Sequence, residues 1–217
     1  MTKKNESMTK RVHNLIIVDE SGSMQCIRKQ AFSGMNETLQ TVRLMQKTYP
    51  MTEQMVTLIT FDSEHTKWHY SSTPASETRE LSWKDYQPSA ATPLYDAIGK
   101  GVSKVNAFVN DGEHVLVTII TDGYENSSEE WTQKMIHALI EKLKKQNWTF
   151  TLIGTDALDV ETMARSFAID EHMNFTQTKE GTEAMFKRDR ISRVRFNFCL
   201  ANDMSIPEGC YFKDDQD

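Results

Sequence analysis

The chain has 217 residues, of which 26% are charged and 38% hydrophobic, with a formal net charge of -6. That length and balance suit one packed α/β domain and exclude two ordinary ones. The acidic balance gives no global attraction to nucleic acid or anionic membranes, and three cysteines without a CxxC pair argue against a disulfide framework or structural zinc.

Residues 1–10 read as a polar leader with no apolar stretch of the secretory kind, which with the cysteine usage points to a cytoplasmic protein. Leu15-Ile16-Ile17-Val18 predicts a strand buried on both faces that ends at Asp19-Glu20-Ser21-Gly22-Ser23. Ile27, Ala31, Met35, Leu39 and Val42 recur at helical spacing and predict a helix to about Lys47, stopped by Tyr49-Pro50. Met55 to Phe61 reads as a second buried strand. After a turn at Asp62-Ser63, the polar stretch Thr66 to Tyr70 reads as an edge strand folding back on it. Ser71 to Ala91 reads as a long loop with room for a short helix, and loops of that length often carry function.

Thr92-Pro93 opens a helix with Leu94, Ala97, Ile98, Val102 and Val105 on one side and threonine as its cap. His114 to Thr121 is the next buried strand, halted at Asp122-Gly123. A helix capped by Ser127 or Ser128 follows, with Trp131, Met135, Leu139 and Leu143 in register. Trp148 to Ile153 is a strand. Then come a short helix near Val160 to Phe167, a small strand near His172 to Phe175, and a last helix from about Thr182. Lys187, Arg188, Arg190, Arg193 and Arg195 give that helix a basic face, read as solvated or else paired with the acidic tail, and residues 202–217 read as a loose acidic tail. Alternating strands and helices predict an α/β fold: a doubly wound, mostly parallel sheet with one antiparallel edge strand and helices on both faces.

Ligands of such sheets bind beyond the carboxyl ends of the strands, where strand order reverses. Asp19, Ser21 and Ser23 follow the first strand, Asp122 follows the strand His114 to Thr121, and Thr92 lies at the start of the helix leading into it. Their oxygens, with no His or Cys, suit a hard cation: Mg²⁺ or Mn²⁺, with Ca²⁺ less favoured. Alternation in Asp-x-Ser-x-Ser aims successive side chains into one pocket, and Glu20 between them is expected to point outward.

Asp19-Glu20-Ser21-Gly22-Ser23 resembles the Asp-x-Ser-x-Ser signature of the metal-ion-dependent adhesion site in von Willebrand factor type A (vWA) domains. Thr92-Pro93-Leu94-Tyr95-Asp96-Ala97-Ile98 is similar to the threonine motif of small stand-alone bacterial members, and Thr121-Asp122-Gly123 to the third motif. The three occur in the family's order, and the resemblance implies a Rossmann-like vWA domain over residues 11–201. One departure is Ala90-Ala91, where the family usually has glycine shortly before the threonine. The resemblance implies that Ser21, Ser23 and Thr92 coordinate directly while Asp19 and Asp122 act through water. It further implies a monomeric, non-enzymatic binding module whose protein partner supplies an Asp or Glu to the metal.

Other readings of the same residues stand beside this one. Asp19 to Ser23 is also a plausible helix cap, Thr92 a plain N-cap, and Asp122-Gly123 an ordinary turn. A Mg²⁺-dependent phosphatase or other hydrolase is the functional alternative. However, a dehalogenase-like phosphatase needs a second Asp where Ser21 stands, and neither a Gly-x-Ser-x-Gly elbow nor a phosphate-cradling Gly-rich Lys loop occurs. A metal that only staples the fold, or a tail acid (Asp214, Asp215 or Asp217) that reaches a metal, are further possibilities. His65 and His69 read as exposed strand histidines, and Cys26 as a small buried residue.

Overall fold

Strand β1 (Lys10–Asp19) owes its central place to an unbroken buried run from Val12 to Asp19. In the computed structural model, which describes residues 10–205 and 210–213, it pairs in parallel with β2 (Thr52–Phe61) on one side and β4 (His114–Thr121) on the other. The antiparallel edge strand β3 (Thr66–Pro74) adds to β2, while β5 (Trp148–Thr155) and β6 (Glu171–Phe175) extend the sheet beyond β4 in parallel. The order β3-β2-β1-β4-β5-β6 is a doubly wound α/β sheet whose winding reverses between β1 and β4.

Because strand side chains alternate between faces, β1 feeds two cores. Ile16 and Val18 pack on the side of α1 (Arg28–Thr48) and α5 (Lys179–Ala201). Leu15 and Ile17 pack on the side of α2 (Leu94–Asn106), α3 (Gln133–Lys144) and α4 (Val160–Ser166). Among the described residues no helix is long and apolar enough to cross a membrane.

Several local expectations change in the structure. Helix α3 starts at Gln133 under the side chain of Thr132, not at Ser127 or Ser128, and buries Ile136, Ile140 and Leu143 while Met135 is exposed. The reason is Glu125, whose carboxylate takes the amides of both serines and holds that stretch as a loop. Trp131, ahead of the helix, lies on Gly99 of α2, where a Cβ would come within 2.1 Å of the indole. The long loop is shortened by β3, which runs on to Pro74, and contains two short 3-10 turns, Ala75–Glu77 and Trp83–Asp85. Cys26 is exposed rather than buried. His65 is exposed just before β3, whereas His69 is partly buried, with its ring against the Thr60 hydroxyl at 2.9 Å.

The basic face of α5 is also not simply solvated. Arg193 is fully buried, bonding Asn14 and Thr118 of the sheet and Asp189 one turn back. Arg188 and Arg195 donate to the carbonyls of Phe212, Cys210 and Tyr211, and Tyr211 and Phe212 join the core. That part of the tail is therefore anchored; Asp214, Asp215 and Asp217 lie outside the described residues.

Candidate metal centre

The ends of β1 and β4 meet at the switch point, and five predicted side chains collect there. Asp19, wholly buried, accepts the Ser21 amide at 2.7 Å on one carboxylate oxygen and the Thr121 hydroxyl at 2.6 Å on the other. The Ser21 and Ser23 hydroxyls lie 3.2 Å apart, and Ser23 donates to Asp122 at 2.6 Å. Thr92 stands across Gly123: a Cβ at Gly123 would lie 3.3 Å from the Thr92 hydroxyl and 4.0 Å from that of Ser23. Asp19, Ser21, Ser23 and Asp122 thus form one hydrogen-bonded chain, with Thr92 on its rim.

The backbone supports this cluster at each point. After Ser21 the chain enters a 3-10 turn, Gly22–Ile27, and Ser21 makes no side-chain capping bond. Helix α2 is likewise not capped by Thr92: it begins after Pro93, and the amides of Tyr95 and Asp96 go to Glu125 and Ser128. Thr92 is instead fixed by its backbone, whose amide and carbonyl both bond Asn126.

Glu20 does not point outward. It is 1% exposed, pairs with Lys67 at 2.6 Å and accepts the Gln87 amide. Together with the Glu20 carbonyl, which accepts the Ser89 amide, it ties the metal loop to the 87–91 segment. The Gly22 amide bonds the Ala90 carbonyl at 3.1 Å, and Ala90 itself is left-handed (φ 56°). Ala90 thus adopts a conformation that glycine takes without strain, at the place where the resembled family carries glycine.

Two contributors carried no signal in the sequence. The Gln177 amide, from the loop after β6, donates to Asp122 at 2.5 Å, and the buried Tyr86 hydroxyl donates to the Asp19 carbonyl at 2.7 Å. Both are separated from their partners by more than fifty residues, and neither lies in a recognisable motif.

The electrostatics are those of an acid cluster without a base. Burial pushes the Asp19 carboxyl up to about 6, against hydrogen bonds from Thr121 and Ser21 that favour its charge. Burial also raises Asp122, opposed by Ser23 and Gln177. Among the described residues no lysine or arginine pairs with either carboxylate; Lys67 serves Glu20 instead. No group of three or more His, Cys, Asp or Glu side chains among the described residues is arranged to hold a metal. The donors here are two carboxylates and three hydroxyls, an oxygen set that fits a hard cation and not a soft one.

No family model matches the chain, and no curated protein matches it. Solved structures do. The chain is similar to the vWF domain of the type V pili tip protein Mfa5 from Porphyromonas gingivalis, at 11% identity and a TM-score of 0.60, over 92% of this chain and 98% of that one. It is also similar to the SpRpn10 VWA domain, at 12% identity and a TM-score of 0.55, over 85% and 95%. The fold is that of a von Willebrand factor type A domain. The same vWA-type fold aligns with larger chains. The chain spans 45% of proximal thread matrix protein 1 from the mussel byssus (13% identity, 83% of this chain, TM-score 0.57). It spans 30% of the pilus adhesin SpaC from Lactobacillus rhamnosus GG (14% identity, 85% of this chain, TM-score 0.61). At these identities the likeness concerns the vWA fold and not the chemistry of its edge.

Proposed function

We propose that this vWA-type chain is a protein-interaction module that holds Mg²⁺ or Mn²⁺ at Asp19, Ser21, Ser23, Thr92 and Asp122 and through it grips an Asp or Glu of a protein partner. The observation that carries the proposal is the pair of buried carboxylates, facing three hydroxyls, with no basic side chain to neutralise them. Leaving such charges uncompensated in a protein interior is costly, and a bound cation removes that cost.

The chain's own residues divide the work. Asp19 and Asp122 each already accept two donors, so they are held in place as counter-charges. Ser21, Ser23 and Thr92 offer neutral oxygens, which leave a cation more of its charge than carboxylate ligands would. A cation bound there would supply an electropositive seat for an oxygen from outside. Ser23 is exposed while Asp19 and Ser21 are buried, so the cluster opens on the Ser23 side. Among the described residues no His or Lys is hydrogen-bonded to the hydroxyls of Ser21, Ser23 or Thr92, so no hydroxyl nucleophile with its activating base is assembled, which favours binding over turnover.

Affinity capture with the purified chain tests this reading. Partners should be retained in Mg²⁺, released by EDTA, and not retained by Asp19→Ala; substituting one Asp or Glu of the partner should abolish capture. Retention of the same partner in EDTA, or Mg²⁺-dependent phosphate-ester hydrolysis abolished by Asp19→Asn, would count against it.

A further inference from the structure

A second surface lies at the other end of the same helices. Helices α1 and α5 run side by side in the same direction. Gly34 meets the Phe186 ring, where a Cβ would come within 2.1 Å, and further along Leu44 shares a groove with Ile191 and Val194. That groove, of about 680 Å³, is lined by Glu37, Gln40, Leu44, Arg190, Ile191 and Val194. Leu44 is 55% exposed, Ile191 52%, Val194 36% and Phe198 47%. On α5 the three apolar residues fall at i, i+3 and i+7, one continuous stripe. Apolar side chains scattered singly over a surface need no partner; a stripe of three with Leu44 beside it across an open groove marks an interaction site.

The charges bordering the stripe identify what covers it. Gly34 meets Phe186, so about one turn further along each helix Glu37 on α1 and Arg190 on α5 stand at about the same level; both line the groove, and among the described residues neither is ion-paired. A two-fold axis laid along the groove, in the plane of the face, preserves height and exchanges sides. It therefore sets α1 of one copy over α5 of the other. Glu37 of each chain then faces Arg190 of its mate, and Leu44 faces the Val194 level, so one surface is complementary to itself in charge and in apolarity.

We propose that this face is the interface of a two-fold homodimer, rather than the monomer expected from the sequence. The arrangement fixes how the two candidate metal centres are presented. Helix α1 starts just past the metal loop, and Leu44 lies sixteen residues on, about 24 Å down the helix axis. Helix α5 starts two residues after Gln177, which bonds Asp122, and descends the same way. An axis parallel to both helices leaves the two centres at the same end of the dimer, pointing the same way. Such a dimer grips two carboxylates on one partner surface, with the gain in avidity that linked sites give.

Sedimentation equilibrium of the full chain over a range of concentrations tests the dimer without reference to the metal. The expected result is a mass moving from 25.0 kDa towards twice that value as concentration rises, unchanged by EDTA. Ile191→Glu should weaken association by about tenfold or more. Glu37→Arg and Arg190→Glu should each weaken it, and the double variant should restore it, which excludes simple misfolding as the cause. A chain that stays at 25.0 kDa throughout, or association indifferent to Ile191→Glu, would overturn the proposal. So would association that EDTA abolishes, since that marks a metal-bridged contact. Association that appears only after residues 1–9 are removed would also overturn it, because that segment would then be what covers the face.

Discussion

Two of the chain's buried carboxylate clusters are treated differently. On the α5 side of the sheet, Asp189, 2% exposed, receives Arg193 at 3.2 Å and the Tyr211 hydroxyl at 3.0 Å. Arg193, itself without exposure, is shared with Asn14 and Thr118. At the switch point, Asp19, wholly buried, and Asp122, 7% exposed, receive only neutral donors. One cluster is closed by a cation from within the fold; the other opens towards Ser23 and has no cation from within the fold. The two clusters differ in whether the fold itself supplies the counter-charge.

The contrast predicts opposite responses to mutation. Arg193→Ala leaves Asp189 buried and unpaired and should cost about 3–5 kcal/mol in urea unfolding. Asp19→Asn, measured in the metal-free protein, should cost less than about 1 kcal/mol or stabilise it, because it removes a charge that lacks a partner. Equal losses from the two variants would break the comparison.

Much of the architecture was legible because it is written in local pattern. The run Leu15 to Val18 and the run in β4 are continuous and β-branched, and only a strand covered on both faces tolerates that. The candidate site was legible because its oxygens sit in short motifs directly after those strands. What stayed hidden depends on partners distant in sequence. Nothing near Arg193 distinguishes it from the solvated Arg190 three residues earlier; its burial follows from Asn14 and Thr118, supplied by strands 179 and 75 residues away. Glu20 reads as a surface acid until Lys67 and the Gln87 amide close over it. The start of α3 was misplaced because Ser127 and Ser128 look like caps, yet their amides are taken by a side chain two and three residues before them.

Two smaller effects sharpen the picture of the open cluster. Gln177→Ala removes a donor that fixes Asp122 and should lower divalent-cation affinity about tenfold without abolishing it, measured by competition with a fluorescent chelator. An unchanged affinity would show that Gln177 merely fills space. Ala90→Gly relieves the left-handed backbone that carries the Gly22 hydrogen bond and should raise stability by about 0.5–1 kcal/mol, read as a modest increase in melting temperature. A loss of stability would mean that the alanine methyl contributes packing that outweighs the strain.

The most direct test is calorimetric titration of Mn²⁺ into the metal-free chain and its Asp19→Ala and Asp122→Ala variants. The account predicts one ion per chain for the wild type and no measurable binding for either variant, with all three proteins folded by circular dichroism. Absence of Mn²⁺ and Mg²⁺ binding to the wild type, or undiminished binding to either variant, would contradict it.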